Sequence, residues 1–213
     1  MAKLRISEIF YSLQGETNTM GLATVFIRLT GCPLRCTYCD TEYAFNGGTN
    51  MTLSAILEKV AAYSPRYVTV TGGEPLAQKH CHQLLTRLCD QGYRVSLETG
   101  GALDISGVDP RVIKVLDLKT PASNECERNL YQNLEYLSSQ DQIKFVICDT
   151  QDYDWAKQQV EQRNLAVKCE ILFSPSYQQQ SPTELAEKIL ADNLPVRMQI
   201  QLHKYLWGDL PGK

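Results

Sequence analysis

Three cysteines fall within eight residues, in the segment Gly31-Cys32-Pro33-Leu34-Arg35-Cys36-Thr37-Tyr38-Cys39-Asp40-Thr41. Their spacing is Cys-x3-Cys-x2-Cys. Thiolates are soft ligands that select zinc or iron–sulfur centres, and three in one short loop can converge on one centre. A structural zinc site closes with four ligands, usually as two short pairs. No second cysteine pair exists, and Cys81 and His82 are neighbours whose side chains diverge on a helix. A 4Fe-4S cluster with three protein ligands fits the spacing and leaves one iron for an outside ligand, where such clusters otherwise have four cysteines. The plainer readings are a loop of structural thiols, or a zinc ion completed by Asp40 or a distant histidine.

Other chemistry-bearing residues recur where apolar runs end. Thr69-Val70-Thr71-Gly72-Gly73-Glu74-Pro75 closes one run. Its glycines allow close backbone approach, and Glu74 can accept from an ammonium group, although most such turns only join a strand to a helix. Glu98-Thr99-Gly100-Gly101 closes the next run. A carboxylate there can hold ribose hydroxyls, or can simply be a solvated strand end. Asp117-Leu118-Lys119-Thr120 and Ser174-Pro175-Ser176 close two later runs. Lys119 can pair with a carboxylate or point into water, and Ser-Pro is ordinary turn chemistry. Near the N-terminus, Leu13-Gln14-Gly15 offers an amide and open backbone to the edge of a heterocycle. Arg28 lies inside an apolar run, where a guanidinium is rare unless paired. It suits bidentate capture of a ligand carboxylate, or a salt bridge within the protein.

The elements that position these residues read as strands at Thr24–Leu29, Tyr67–Thr71, Arg94–Glu98, Val112–Leu118, Ile143–Cys148, Cys169–Phe173 and Val196–Leu202. They are near-continuously apolar, as strands covered on both faces are. Helices are expected at Thr52–Tyr63, Ala77–Gln91, Glu127–Leu137, Gln151–Arg163 and Pro182–Asp192. The last is the best marked: Ser181 caps it, Pro182 takes the first helical position and Glu184 completes a capping box. Alternating strands and helices imply a parallel sheet with crossovers. With 213 residues the chain is short for a closed eight-unit barrel of about 250. The expected fold is α/β, a partial open barrel of the (β/α)6 type in a single domain spanning 1–213, with a flavodoxin-like open sheet as the competitor. In either, ligands sit at the carboxyl ends of the strands.

Composition narrows the class. The formal charge of −3 argues against a basic sleeve for nucleic acid. No apolar run approaches the ~20 residues that span a bilayer, and the N-terminus has no signal-like apolar segment. We therefore expect a soluble cytoplasmic protein. Cys81, Cys89, Cys126, Cys148 and Cys169 stand singly and read as core thiols.

The cysteine spacing after a first strand, with Tyr38 before the last cysteine, resembles the radical S-adenosylmethionine superfamily. Within it, Phe10-Tyr11-Ser12-Leu13-Gln14-Gly15-Glu16, Phe26-Ile27-Arg28-Leu29, Cys39-Asp40-Thr41 and the late His203-Lys204-Tyr205-Leu206 resemble the 7-carboxy-7-deazaguanine synthase family. The likeness runs from about residue 8 to about residue 206. Thr17 departs from it, since the family commonly has glycine there, and a β-branched residue has fewer backbone options. The tail from Trp207 to Lys213 has no assigned role.

The resemblance implies a radical lyase that converts 6-carboxy-5,6,7,8-tetrahydropterin to 7-carboxy-7-deazaguanine and ammonia, in queuosine precursor biosynthesis. It implies a 4Fe-4S cluster on Cys32, Cys36 and Cys39. It implies S-adenosylmethionine held by Tyr38, Cys39, Asp40, Gly73, Glu74, Glu98, Asp117, Lys119 and Ser174. Substrate would meet Leu13, Gln14, Gly15, Arg28 and Thr71, with Mg²⁺ on Thr41. No side chain is expected to be catalytic beyond the cofactor-borne radical. The partners implied are a flavodoxin or ferredoxin-type reductant and a second copy in a homodimer. A glycyl-radical enzyme activating protein is the nearest rival, and a metal-stabilised binding module without catalysis is a rival of another class.

Overall fold

Val68 and Val70 join the hydrophobic core, while Thr71, in the same strand, faces a cleft on the other side. This period-two alternation runs through the sheet and decides which residues reach a ligand. The computed structural model describes residues 2–208 with Leu210 and Gly212. Both ends of the expected domain, Met1 and Lys213, lie outside the described residues, as do Asp209 and Pro211 of the tail.

The strands are β1 (Lys3–Leu13), β2 (Ala23–Leu29), β3 (Thr49–Thr52), β4 (Tyr67–Gly72), β5 (Arg94–Thr99), β6 (Ile113–Asp117), β7 (Gln142–Ile147), β8 (Glu170–Pro175) and β9 (Arg197–Met198). They form one sheet in the order β3-β1-β2-β4-β5-β6-β7-β8-β9. From β2 onward every pairing is parallel and follows chain order, while β1 is antiparallel to both β2 and β3. A flavodoxin-like sheet reverses the order of its parallel strands at a switch point, and the parallel strands here do not. Crossovers of constant hand then lie on one face. The described strands β3 and β9 stay unpaired to each other, so the barrel is open.

The α-helices are α1 (Leu53–Ala61), α2 (Cys81–Asp90), α3 (Thr150–Gln162), α4 (Pro182–Asp192) and α5 (Leu202–Trp207). Helix α1 buries Leu53, Ile56, Leu57 and Val60, the 3–4 spacing of one helical face, and Thr52 caps it by accepting from Ala55 N at 3.2 Å. Helix α4 has its expected bounds, with Ser181 Oγ accepting from Glu184 N at 3.4 Å. The Glu184 carboxylate instead accepts from Gln180 Nε2, so the reciprocal half of the expected capping box is absent.

Several expectations need correction. Glu127–Leu137 is not an α-helix. Cys126–Arg128 and Tyr131–Tyr136 are 3-10 turns, because Asn129 and Asn133 are buried and bond backbone groups of neighbouring loops. Asn129 bridges the N–H and C=O of Lys119, and Asn133 binds Ile105 N, Gly101 O and Leu103 O. Helix α2 starts at Cys81 rather than Ala77, since Pro75–Ala77 forms a separate 3-10 turn. The expected strand Val196–Leu202 shrinks to β9, and Leu202 already begins α5. Strands β1 and β3 were not expected, because their residues alternate with polar neighbours and stay partly exposed. Finally, the strands are not apolar on both faces: one face is core, and the other carries Arg28, Thr71, Glu98, Asp117, Lys144 and Ser174 into the cleft. Of the single cysteines only Cys81 and Cys169 are buried, while Cys89, Cys126 and Cys148 are half-buried.

Candidate active site

A cleft of about 530 Å³ opens at the carboxyl ends of the parallel strands. Every residue singled out from the sequence for cluster, cofactor, magnesium or substrate lines it. Register explains part of this convergence. Arg28 of β2 stands beside Thr71 of β4, and Asp117 of β6 beside Lys144 of β7.

Cys32, Cys36 and Cys39 are free, half-buried thiols on the cleft wall. Their loop is braced from within. The Arg35 guanidinium donates to Cys32 O at 2.7 Å and Leu34 O at 2.6 Å, and stacks 4.3 Å from the Phe45 ring centroid. Thr37 N donates to Ser123 O at 3.2 Å, tying the loop to the segment after β6. Burial pushes the Cys32 thiol up and the Cys36 thiol up to about 11, so both hold protons until a metal displaces them. Among the described residues no three His, Cys, Asp or Glu side chains gather around one ion position. A cubane cluster presents a separate iron to each thiolate, so three thiols on one loop suit it.

The glycine turn after β4 touches that loop backbone to backbone. A Cβ on Gly73 would stand 2.3 Å from Gly31 O and 2.9 Å from Cys32 Cβ. Glu74 is fully buried and already occupied. It accepts from Thr99 Oγ1 at 2.9 Å, Gly100 N at 2.8 Å and Leu76 N at 3.0 Å, locking the ends of β4 and β5 together. Tyr38 buries a hydroxyl that has no partner among the described residues. Beside its ring, 5.6 Å from the centroid, lies the Lys119 ammonium. Lys119 does not point into water; it pairs with Asp117 at 3.1 Å. Burial works against its charge, yet Asp117 holds its pKa well above the ordinary lysine range. Ser174 is buried at the end of β8 on the same wall.

Elsewhere in the cleft, the Gln14 amide donates to Thr69 Oγ1 and Glu98 Oε1, each at 3.2 Å, and its oxygen accepts from Glu16 N. It is therefore engaged by protein groups. Glu98 is no solvated strand end, because Thr71 Oγ1 also donates to it at 3.0 Å. Its carboxyl is pushed up, first by burial and then by the Glu16 charge. Arg28 spends Nε on Glu8 at 2.7 Å, and its guanidinium carbon lies 5.8 Å from the Phe10 and 5.9 Å from the Tyr43 ring centroids. Leu13 and Gly15 lie where β1 ends, and a Cβ on Gly15 would meet His203 Nδ1 at 2.1 Å, so the imidazole would have to move. Thr41 stands where the cysteine loop passes into a 3-10 turn, its Oγ1 3.9 Å from Cys39 Sγ. Asp40 is exposed and accepts from Gln201 Nε2 at 3.4 Å.

Thr17 adopts φ +68°, the left-handed region where glycine is at ease. Its N–H donates to Gln199 Oε1 at 2.7 Å and its Oγ1 lies 3.0 Å from Thr19 Oγ1. The loop path that glycine would take is thus kept by threonine under strain.

Among the cleft residues that sequence reasoning missed are Glu16, Lys144, Gln201 and His203. Lys144 Nζ reaches Glu16 Oε2 at 2.8 Å and Asp117 Oδ2 at 3.2 Å. Gln201 Nε2 donates to Glu16 Oε1 at 3.0 Å. Lys144 carried the same signal as Arg28, a charge inside an apolar strand. Glu16 and His203 lay in the segments that carry the family resemblance.

Comparisons with known proteins agree with this geometry. Residues 26–118 match the Radical SAM superfamily. The chain is 46% identical to the 7-carboxy-7-deazaguanine synthase of Chlorobaculum tepidum, covering 97% of this chain and 96% of that protein. It is 38% identical to the enzyme of the same name from Koribacter versatilis, covering 96% and 97%. The crystal structure of QueE from Escherichia coli superposes with a TM-score of 0.77 at 22% identity, covering 93% of this chain and 94% of that one, which bears on fold alone.

Proposed function

Because this chain belongs to the 7-carboxy-7-deazaguanine synthase family, we propose that it converts 6-carboxy-5,6,7,8-tetrahydropterin to 7-carboxy-7-deazaguanine with loss of ammonia. The whole chain acts as one catalytic domain of the radical S-adenosylmethionine type. The observation that carries the reading is the meeting, in one cleft, of a cysteine loop, a glycine turn and an arginine-bearing substrate wall.

Cys32, Cys36 and Cys39 would hold a 4Fe-4S cluster, and Tyr38, Cys39, Asp40, Gly73, Glu98, Asp117, Lys119 and Ser174 would surround S-adenosylmethionine. When bound, these two groups supply the electron and the 5′-deoxyadenosyl radical that takes a substrate hydrogen. Gly73 lets the backbone approach the cofactor. Glu74 acts by holding Gly100 and the turn in place, since protein donors occupy its carboxylate. Arg28, tethered through Nε, keeps its terminal nitrogens for the substrate carboxylate. Gln14 and Thr71, which bond the Glu98 carboxylate, and Gly15, whose missing Cβ lets His203 pack against it, would meet the heterocycle. Thr41 would offer an oxygen ligand beside the cluster loop. Mg²⁺ often takes only one or two protein ligands, so we assign it there. A flavodoxin or ferredoxin-type protein is the proposed reductant and a homodimer the proposed assembly. No helix among the described residues is long and apolar enough to cross a membrane.

The test is anaerobic turnover of cluster-reconstituted protein with S-adenosylmethionine, reductant, magnesium and the carboxytetrahydropterin, with products read by mass spectrometry. Appearance of 7-carboxy-7-deazaguanine is expected. Cleavage of S-adenosylmethionine without that product would reassign the substrate, and no cleavage by a loaded, reduced protein would remove the radical chemistry.

A further inference from the structure

Four charged side chains form a row across the floor of the cleft. Glu16 Oε2 lies 2.8 Å from Lys144 Nζ, Lys144 Nζ lies 3.2 Å from Asp117 Oδ2, and Asp117 Oδ1 lies 3.1 Å from Lys119 Nζ. One end belongs to the loop after β1, on the substrate wall. The other end lies against Tyr38, on the cofactor wall. All four side chains are at most 15% exposed, so water does little to screen them.

We infer that Lys144 is a positioning residue that joins the two halves of the site, closing a neutral row of two anions and two cations so that S-adenosylmethionine is bound without an uncompensated charge beneath it. The inference rests on the proposed reading only in placing that cofactor against Tyr38 and Lys119.

The surroundings support the balance. Lys144 faces Glu16, Asp117 of β6 and Glu98 of β5, while Glu16 also faces Gln201 and His203 at the start of α5. Burial opposes the charge of both Glu16 and Asp117, yet the neighbouring lysines keep both below the usual carboxylate range. Glu98 is pushed the other way, first by burial and then by the Glu16 charge, and its carboxylate accepts from the neutral donors Gln14 Nε2 and Thr71 Oγ1, so it stands outside the ion-paired row. A buried charge that loses its partner is costly. Removing Glu16 would leave the row with one positive charge in excess. S-adenosylmethionine is itself a net cation, with a sulfonium and an ammonium against one carboxylate, so an excess positive charge beneath it weakens binding. Removing Lys144 as well restores neutrality through the remaining Asp117–Lys119 pair.

The experiment measures equilibrium binding of S-adenosylmethionine to cluster-loaded protein without reductant. Glu16→Gln is expected to lower affinity at least about fivefold, a coupling of ordinary size. The double variant Glu16→Gln/Lys144→Met is expected to recover to within about twofold of wild type, and Lys144→Arg to keep wild-type affinity. Rescue by deleting a second side chain is not what a merely structural loss produces. If Glu16→Gln fails to load its cluster, Asp117→Asn replaces it, and Lys144→Met must rescue that variant instead. An unchanged affinity in the single variant, or a double variant as weak as the single one, overturns the inference. The pterin is absent from this test, so a protein that passes it but makes no deazaguanine would fail only the functional reading.

Discussion

The proposed cofactor wall and the proposed substrate wall are built on opposite plans. The cofactor wall comes from short contiguous segments, the cysteine loop and the ends of β4, β5 and β6, each following its strand directly. The substrate wall is assembled from segments nearly two hundred residues apart. Leu202 N donates to Gly15 O at 3.0 Å, Thr17 N donates to Gln199, and Gln201 donates to Glu16. A ligand gripped by local sequence leaves a spacing that can be read. A ligand enclosed by two distant segments leaves only isolated residues.

The comparison can be broken most severely at the cysteines. Cys36→Ala is expected to abolish cluster loading and turnover, read by the visible absorbance of the reconstituted protein. An active variant with an intact cluster would remove Cys36 from the ligand set. Gly15→Ala strikes the other wall, since its methyl would displace His203. Cluster loading should survive while turnover falls by about two orders of magnitude or more, in line with a misplacement of about 1 Å. Equal damage to both readouts would mean that the walls are not separable.

Arg28→Ala should weaken pterin binding by roughly 30- to 100-fold, the loss of a hydrogen-bonded charge, and leave S-adenosylmethionine affinity within about twofold. Calorimetry on both ligands checks the split, and unchanged pterin affinity would remove Arg28 from the site. Thr41→Ala should blunt the rate response to added Mg²⁺ by about tenfold, roughly the loss of one hydrogen-bonding ligand. An unaltered response would take the cation elsewhere. The smallest effect is expected at Thr17. Left-handed backbone costs an L-residue about 1–2 kcal/mol, and glycine returns about 0.5–1 kcal/mol of that through the unfolded chain. Thr17→Gly should therefore raise the melting temperature by about 1–3 °C, read by calorimetry. A fall would show that the Thr17–Thr19 hydroxyl pair outweighs the strain.

The positions of strands β2, β4, β5, β6, β7 and β8 were legible because each is an apolar run ended by polar turn residues. Helix α4 was legible to the residue through Ser181 and Pro182. The 3-10 segment around Tyr131–Tyr136 was not, because its helical spacing was overridden by Asn133, whose amide replaces three backbone partners. Strand β1 was hidden by its alternation, which reads as weakly amphipathic until β2 and β3 pair on either side.

The sequence by itself determined the three-cysteine loop, the family and many of the residues that reach the cleft, because these depend on side-chain type and short spacing. Tertiary structure alone decided how those residues are used. Glu74 and Gln14 are engaged by the protein, and Lys119 is paired with Asp117. Lys144 and Glu16 meet across 128 positions of chain. Charge pairing depends on distance in space, and only the register of the parallel strands and the return of the C-terminal segment set those distances.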